Sequence, residues 1–498
     1  MKFSLSVAAV LATATHSMAK DLPPVDQTTL NDLALSDSLA AFLEAFEAGD
    51  ELSEAVFTLE DGVGARVSAT RSFTRFPRAD LSGAGDWAQH FPAREGGPQA
   101  QACNTCHGAP FSNGAGGVAL NVAVDPLHTG DPAKFLERNT LHLFGMGAVQ
   151  RLAEEMTQIL WDTKTSAMTT ACAEGASVTV DLIAKGTDFG QITVTPSGDS
   201  PCQASVDMVG VAGIDADLIV RPFGWKGNHA TIRAFTRGAA HNEMGLQAVE
   251  LVGDEDGDFD GVTHELTIGD MTALTTYLAG LERPVTKIEL ADLGLIELTE
   301  TQRASILRGE TLFASTGCVD CHRPTSEISK AVYHEPSLTE GFYETILPSG
   351  MDARLAGLSA QTAIRFDLTA DQPNNRVETD AGEVHLGAFP SNGTGGAVVD
   401  WYTDFKRHDM GPGLSDPVDA FGFGASVWLT RSLAGVGSTG PWLHNGNATT
   451  LEDAILQHGG DAEDQRDRFA ALEDPQKEDL VAFLENLVLH KTDEGEDH

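Results

Sequence analysis

Two short cysteine and histidine motifs carry the most specific chemistry in this sequence. Residues 103–107 read CNTCH and residues 318–322 read CVDCH, so both follow the pattern C-x-x-C-H. Two thiols three residues apart on one turn can add to the two vinyl groups of one porphyrin, and the adjoining histidine can bind its iron. A redox-active dithiol or half of a zinc site is the alternative for each motif. The motifs predict two covalent c-type haems, attached through Cys103, Cys106, Cys318 and Cys321, with His107 and His322 as iron ligands.

The other two cysteines, Cys172 and Cys202, lie at the ends of a polar segment rich in Gly, Thr and Ser. Neither has a histidine nearby, so the sequence does not indicate a metal or haem role for this pair. Disulfides form in oxidising compartments. We therefore expect a structural disulfide that closes an insertion, with two unrelated free thiols as the alternative.

The N-terminus has the order of parts of an export signal. Lys2 precedes an apolar run over 3–14, and Ser17-Met18-Ala19 provides a small-x-small cleavage site. The run is too short to span a bilayer, and a buried N-terminal helix is the alternative. We find no other uninterrupted apolar stretch near ~18 residues. The sequence therefore predicts a soluble protein without a membrane span, exported most simply to a bacterial periplasm, where c-type haem is attached.

The composition restricts the partners that this protein can have. Asp and Glu number 73 and Lys and Arg number 32, which gives a net charge of −41. Such a charge argues against nucleic acid and against anionic membrane surfaces, and it favours a basic docking partner. The length of 498 residues predicts two or three domains, and a hydrophobic content of 41% is enough to form their cores.

An acidic stretch over 254–265 has the composition of a calcium-binding loop. Alternating carboxylates on a tight turn can place oxygens around one hard cation, and Gly261 permits the turn. The final Glu comes early for an EF-hand, so a related loop is expected, and a solvated acidic turn is the alternative. The candidate ligands are Asp254, Asp256, Asp258, Asp260 and Glu265.

Apolar periodicity indicates the helices that position the motifs. Residues 20–80 show helical spacing without any motif, Asp270 opens a helix, and Thr299 begins another with a capping box. Gly309 lies on that helix and allows the close approach of a C-terminal helix that Asp474 caps. A helix before the haem motif that crosses a C-terminal helix is how a cytochrome c domain closes over its haem.

The predicted fold is mainly α with long irregular loops, built from two cytochrome c-type haem domains with insertions. The predicted order begins with a signal peptide over 1–19 and an N-terminal helical extension over 20–80. A first haem domain over 81–285 follows, with an insertion near 165–205. A second haem domain covers 299–492. We call the haems of the first and second motifs haem 1 and haem 2.

Four further segments make the sequence resemble the di-haem oxidoreductases, peroxidase-like proteins related to bacterial di-haem cytochrome c peroxidase and to the di-haem rubber oxygenases. The segments are 223–226 (FGWK), 256–261 (DGDFDG), 408–414 (HDMGPGL) and 443–455 (LHNGNATTLEDAI). Together they are specific, although each alone would be weak. The resemblance covers most of the chain, from about 100 to 490.

The resemblance implies roles around haem 2. His444 occupies the place of the family's H-D-G histidine, which lies beside a haem, although Asn445 replaces the Asp. His458 occupies the place of the distal ligand of haem 2, with a helix-end histidine as the alternative and Met410 as the rival ligand. Trp225 corresponds to the tryptophan between the two haems, where an indole shortens the electron jump, and an ordinary core tryptophan is the alternative.

The resemblance also locates the distal segment of haem 1. Rubber oxygenases place an aromatic residue fifteen positions after the tryptophan, where this sequence has Ala240, and this departure argues against polymer cleavage. His241 and Glu243 lie beside it and suit proton transfer to a small polar substrate. His241 is an acid–base group, a sixth ligand or a solvated loop residue. Weaker candidates are His128, His142 and His229.

These observations predict a periplasmic di-haem oxidoreductase that reduces hydrogen peroxide at haem 1. Haem 2 takes in electrons from a small donor such as a cytochrome c or a cupredoxin. An oxygenase that acts on an organic substrate with O₂ is one alternative, and a non-catalytic electron carrier is another. The absence of a clear sixth ligand for haem 1 favours an enzyme over a carrier.

Overall fold

The computed structural model describes residues 22–64, 66–72, 79–117, 121–198, 202–379 and 382–492. The predicted export signal over 1–19 lies outside the described residues. Across the part of the chain that is described, no helix has both the length and the apolar character needed to cross a membrane.

The prediction of a mainly α fold is wrong, because the structure is 34% helical and 17% strand. Most strands have only two to four residues and form two-stranded antiparallel pairs that brace the loops. These pairs are β1 (Arg66–Ser68) with β2 (Arg71–Ser72), β3 (Val122–Val124) with β4 (Leu136–Arg138), β8 (Val285–Thr286) with β17 (Leu487–Val488), β9 (Ser326–Ile328) with β14 (Ala397–Val399), β10 (Val332–Glu335) with β11 (Ile364–Asp367), β12 (Arg376–Thr379) with β13 (Gly382–His385), and β15 (Arg407–Asp409) with β16 (Val427–Leu429).

The helices fall into an N-terminal group, a central group and a C-terminal group. Their bounds are α1 Gln27–Ser36, α2 Ser38–Glu54, α3 Met146–Glu174, α4 Ile232–Ala239, α5 Val249–Val252, α6 Ile268–Gly280, α7 Lys287–Asp292, α8 Glu300–Ser315, α9 Leu451–Leu456, α10 Glu463–Ala470 and α11 Asp474–Asn486. The helix predicted to open at Asp270 begins slightly earlier. Thr267 caps it, and Asp270 completes a capping box.

Helix α2 packs closely against α6. A Cβ atom at Gly49 would lie 2.3 Å from the carbonyl oxygen of Ala273, so only glycine permits this approach. The rings of Phe46 and Tyr277 lie 5.0 Å apart across the same contact. Asn113, in the loop after the first C-x-x-C-H motif, donates a hydrogen bond of 2.7 Å to the Tyr277 hydroxyl. The N-terminal extension therefore supports the loop that carries the first motif.

The segment between Cys172 and Cys202 forms a sheet on α3. Strands β5 (Val178–Ala184), β6 (Thr187–Ser197) and β7 (Gln203–Asp207) pair in that order, all antiparallel. Lys185 and Gly186 link β5 to β6 with φ values of 48° and 83°, as in a two-residue hairpin turn of the I′ kind. A disulfide joins Cys172 near the end of α3 to Cys202 at the start of β7.

Helices α8 and α11 cross near the second motif. Thr299 caps α8 with Gln302 in a capping box, as predicted. A Cβ at Gly309 would lie 1.9 Å from the carbonyl oxygen of Asp479, which confirms the close approach at this glycine. The C-terminal helix begins at Asp474, but Glu473 rather than Asp474 is its cap.

Candidate haem-binding cavity

One cavity of about 580 Å³ joins the two C-x-x-C-H motifs. His107 lines it from the first motif, and His322 lines it from the second together with Cys318 and Cys321. A volume of this size falls in the range of roughly 300–1,000 Å³ that is usual for small-molecule and cofactor sites. The two motifs therefore face one shared space instead of two separate pockets.

The first motif forms a tight turn that presents a neutral imidazole. The backbone N–H of His107 donates to the carbonyl oxygen of Cys103 at 3.0 Å, so the motif closes on itself. Burial lowers the pKa of His107 to about 4 and raises those of Cys103 and Cys106 to about 11 and 12. His107 Nδ1 is buried without a hydrogen-bond partner among the described residues. An uncharged imidazole and two uncharged thiols on one turn fit a covalently attached haem.

Two imidazoles with matching hydrogen bonds face the cavity at the second motif. Nδ1 of His322 lies 3.1 Å from the carbonyl oxygen of Tyr402, and Nδ1 of His458 lies 2.9 Å from that of Ala454. A carbonyl oxygen only accepts, so each Nδ1 carries the proton and each Nε2 keeps a free lone pair. Burial, followed by the nearby His458, lowers the pKa of His322 to about 4. Both rings are thus prepared to bind a metal through Nε2.

Met410 and a partly buried ion pair lie close together in sequence at the cavity. Met410 lines the cavity, as a rival of His458 for the distal position of haem 2 must. His408 donates from Nε2 to Asp404 at 2.8 Å, and Cys321, Asp404 and His408 present polar atoms within 4.8 Å of one another. Burial opposes a charge on His408, but hydrogen bonds with Asp404 and Cys321 raise its pKa to about 10. A charged imidazolium therefore lies beside a predicted attachment cysteine, which sequence reasoning did not anticipate.

Aromatic rings occupy the wall between the two motifs. Trp225 lines the cavity and donates from Nε1 to the carbonyl oxygen of Asn139 at 2.8 Å. His444 makes an edge contact with Trp225 at 6.4 Å between centroids and stacks on Trp428 at 4.0 Å. Burial lowers the pKa of His444 to about 4, so the ring is neutral. Trp428 was not singled out from the sequence, because nothing in Val427–Leu429 distinguishes it from a core residue.

A π-helical turn over 240–244 continues α4 and places its side chains on opposite sides. Asn242 and Glu243 line the cavity, but the cavity lining does not include His241. Burial and the neighbouring Glu95 raise the pKa of Glu243 to about 7. His229, which precedes α4, also lines the cavity. The structure thus brings Glu243 close enough to the first motif to affect the pKa of Cys103 and Cys106, and it places His229 elsewhere in the cavity lining.

His241 points away from this cavity. It is 4% exposed, and neither ring nitrogen has a hydrogen-bond partner among the described residues. Burial, Arg94 and His90 lower its pKa to about 3, so the ring is neutral. Of the other candidates, His142 lines the cavity and bonds the carbonyl oxygen of Ala434, whereas His128 lies outside the lining.

The acidic loop forms a compact cluster of carboxylates beside Arg94. Asp256, Asp258 and Asp260 have oxygens within 4.8 Å of one another. Asp258 is 0% exposed, and both of its oxygens lack a hydrogen-bond partner within the described ranges. Burial, followed by the neighbouring carboxylates, raises the pKa of Asp258 to about 7 and that of Glu265 to about 10. The buried Asp258 carboxylate and its neighbours fit a bound cation, because the cluster brings together more carboxylates than the nearby Arg94 and Arg66 can balance.

Comparison with known proteins supports the haem assignment of this cavity. A family model described as "Di-haem oxidoreductase, putative peroxidase" matches residues 369–487. The matched segment follows both C-x-x-C-H motifs and contains His444 and His458. The resemblance to this family, predicted from the sequence, is confirmed over that segment. Over residues 369–487 the chain is therefore similar to the di-haem oxidoreductases, and this similarity supports haem as the group that the cavity would hold.

Two solved structures show distant similarity. A MauG-like protein associated with microbial copper homeostasis has 16% identity, with 59% of this chain and 78% of that chain covered and a TM-score of 0.28. Xenon-pressurised hydrazine synthase of Kuenenia stuttgartiensis has 14% identity, with 98% and 100% covered and a TM-score of 0.28. No curated protein matches significantly. These TM-scores are too low for either structure to inform the fold or the function.

Proposed function

We propose that this protein is a periplasmic di-haem c-type peroxidase, which reduces hydrogen peroxide with electrons from a small donor such as a cytochrome c or a cupredoxin. The observation that carries the proposal is the shared cavity, where the second motif is paired with a second imidazole and the first motif faces Glu243. One end therefore has the groups for electron storage, and the other has a group for proton transfer.

Each C-x-x-C-H motif holds one haem in this proposal. Cys103 and Cys106 attach haem 1, and the second motif attaches haem 2 in the same way. When bound, the haems supply the oxidation–reduction chemistry, while the protein supplies ligands, protons and access. All four thiols are free to attach haem, because the disulfide of this chain uses the other two cysteines.

His322 and His458 are the proposed ligand pair of haem 2. Both rings donate from Nδ1 to backbone carbonyl oxygens, which fixes their orientation and leaves Nε2 to bind iron. Met410 remains the rival for the second ligand, since it lines the same cavity. His444 is a wall residue beside the haems, since its neutral ring is stacked on Trp428.

Glu243 is the proposed acid–base group. Reduction of one peroxide to two waters consumes two electrons and two protons, so a group must deliver protons into the cavity. A carboxyl with a pKa of about 7 both holds and releases a proton at neutral pH. His241 lies behind Glu243 on the same turn, and in this proposal it supports that turn from the side of Arg94.

Trp225 is the proposed electron path between the haems. Its indole lines the shared cavity, and its Nε1–H is fixed by the carbonyl oxygen of Asn139. An ordered aromatic ring between two redox centres shortens the distance that an electron must cross. The role requires an ordered ring, which the hydrogen bond provides.

We further propose that the acidic loop binds calcium. Asp256, Asp258 and Asp260 converge, and Asp258 has two buried oxygens without partners in the described residues. A hard divalent cation with oxygen ligands would satisfy these atoms. The loop directly precedes α6, so the ion would stabilise the helix that supports the first motif's loop.

A non-catalytic electron carrier is the second candidate function, and one observation favours it. His229 lines the cavity near α4 and offers an imidazole that could complete the coordination of haem 1. Burial lowers the pKa of His229 to about 4, so the ring is neutral and able to bind metal. The oxygenase alternative has no comparable observation in its favour.

The test combines haem counting with ligand binding. A pyridine haemochrome assay is expected to give two haems per chain, and electron paramagnetic resonance is expected to show one high-spin and one low-spin haem. Cyanide and peroxide should bind at one haem only. Two low-spin haems that ignore both reagents in every oxidation state would establish the carrier, and fewer than two haems would overturn the architecture.

A further inference from the structure

Arg431 differs from the other cations that line the cavity. Arg138 donates two hydrogen bonds of 2.9 and 2.8 Å to Asp416, and Lys226 lies 3.3 Å from the same carboxylate. Arg466 pairs with two carboxylates on its own helix. Within the described residues, Arg431 has no carboxylate partner. It is therefore a cation in the cavity wall without a compensating carboxylate in the part of the chain that the structure describes.

Backbone carbonyl groups hold Arg431 at the junction of the two haem sites. Its Nη1 donates to Pro222 at 3.2 Å and to Gly224 at 3.1 Å, while its buried Nε has no partner in the described chain. The guanidinium lies 5.8 Å from the centroid of Trp225. Burial, and to a smaller extent the charges of Arg431 and His107, lower the pKa of His142, so His142 lies within electrostatic reach of both. Arg431 is thus fixed between the first motif and the proposed electron path.

An anion that reaches the cavity wall would compensate the charge of Arg431. Burial lowers the pKa of Arg431 to about 10, so it is still charged at pH 7. A buried charge without a counter-charge is costly, and guanidinium pairs best with carboxylates through two parallel hydrogen bonds. Each haem carries two propionate carboxylates, and both haems enter this cavity in the proposed function. A free carboxylate from solution is the other source of the same chemistry.

We infer that Arg431 binds a haem propionate at the junction of the two haem sites and positions that haem against Trp225. This inference rests on the proposed di-haem function. Arg431 is a positioning residue in this role, since it contacts the periphery of the cofactor and leaves the reacting atoms to others. Loss of Arg431 should therefore change the redox properties of one haem, while the groups that carry out the reaction stay in place.

Redox titration of Arg431→Gln and Arg431→Lys holoprotein tests the inference. The Gln variant should lower the midpoint potential of one haem, because loss of a nearby cation favours the ferric state. That potential should also become pH-dependent between pH 5 and 8, because the released propionate now takes up a proton. Arg431→Lys keeps the charge and should leave the potential closer to the wild-type value. Arg308→Gln, which removes an exposed charge outside the cavity, is the matched control.

Two results would overturn the inference. The first is an Arg431→Gln protein whose two potentials match those of Arg308→Gln at every pH. The second is a crystal structure of wild-type holoprotein in which no propionate oxygen lies within hydrogen-bond distance of Arg431, roughly 2.7–3.2 Å. That structure decides the question even if the variants lose haem. Stabilisation of the wild type by added acetate, saturating at Arg431, would assign the site to a free carboxylate instead. A wild-type protein without haem would refute the proposed function and not this contact alone.

Discussion

Replacing Glu243 by Gln tests the proposed acid–base group most directly. Burial and the charge of Glu95 raise the pKa of Glu243 to about 7, so roughly half of these carboxyls carry a proton at pH 7. Gln has nearly the same shape and cannot release a proton to peroxide. We expect kcat/KM for peroxide to fall by roughly 10²- to 10⁴-fold, the usual loss when a general acid–base group is removed. Both haems should remain attached.

The same pKa predicts that Glu243→Gln stabilises the protein at high pH. A rise from 4.5 to about 7 corresponds to roughly 3 kcal/mol between the two protonation states. A carboxyl whose pKa is raised by folding takes up protons on folding, so its favourable contribution is complete below pH 4.5. That contribution falls as the pH rises through 7 and is then constant. At pH 8 the variant should therefore be more stable than the wild type by up to about 3 kcal/mol, and at pH 4 the two should agree.

The assay pairs peroxide turnover with denaturant unfolding across pH 4–9. Wild-type kcat/KM should fall as the pH rises through about 7, because Glu243 loses the proton that it delivers to peroxide. Glu95→Gln removes a neighbouring negative charge, so this fall should move to lower pH. Full turnover by Glu243→Gln with both haems present would refute the assignment. A pH profile that ignores both substitutions would do the same.

Three further predictions concern haem 2, the cation site and the electron path. His458→Met should keep haem 2 six-coordinate and raise its midpoint potential in a redox titration, because thioether ligation favours the ferrous state; unchanged potentials would move the ligand to Met410. Chelation should lower the melting temperature of the wild type, since a cation at 100 times its Kd contributes about 2.7 kcal/mol, whereas Asp258→Asn should melt at one temperature with or without chelator. A wild-type melting temperature that ignores chelation, with no calcium by metal analysis, would exclude the site. Trp225→Phe should slow electron transfer between the haems in stopped-flow spectroscopy, while Trp161→Phe, on α3, should not; equal rates for the two variants would exclude Trp225 as the path.

The sequence predicted the second motif's surroundings better than the rest of the fold. Thr299 and Gly309 carry local signals, a cap and a small residue at a helix crossing, that act within a few residues. The sheet under the disulfide was missed, although Lys185-Gly186 lies between two alternating apolar runs and is typical of a hairpin turn. The two-stranded pairs could not be predicted, because strands of two to four residues have too few positions to show a period.

The placement of His241 could not be read from the sequence either. In a regular α-helix, the side chains of residues 241 and 243 point in directions that differ by a fixed rotation. The sequence does not indicate which of the two directions faces the cavity. The π-helical turn over 240–244 changes this rotation, so that Glu243 faces the cavity and His241 faces Arg94. A one-residue widening of a helix has no reliable sequence signal, and it decides here which side chain meets the cavity.

During maturation, the disulfide beside the sheet on α3 needs a different oxidation state from the four motif cysteines. If the motifs attach haem as proposed, Cys172 and Cys202 are oxidised while the four motif cysteines stay reduced until attachment. Thiolates exchange with any disulfide that they can reach, so a reductant that prepares the motifs also threatens this bond. The sheet of β5, β6 and β7 places Cys202, just before β7, against Cys172 of α3, so a reduced pair recloses within the same molecule at little entropic cost. The local sheet thereby favours re-formation of this disulfide while the four motif cysteines are still reduced.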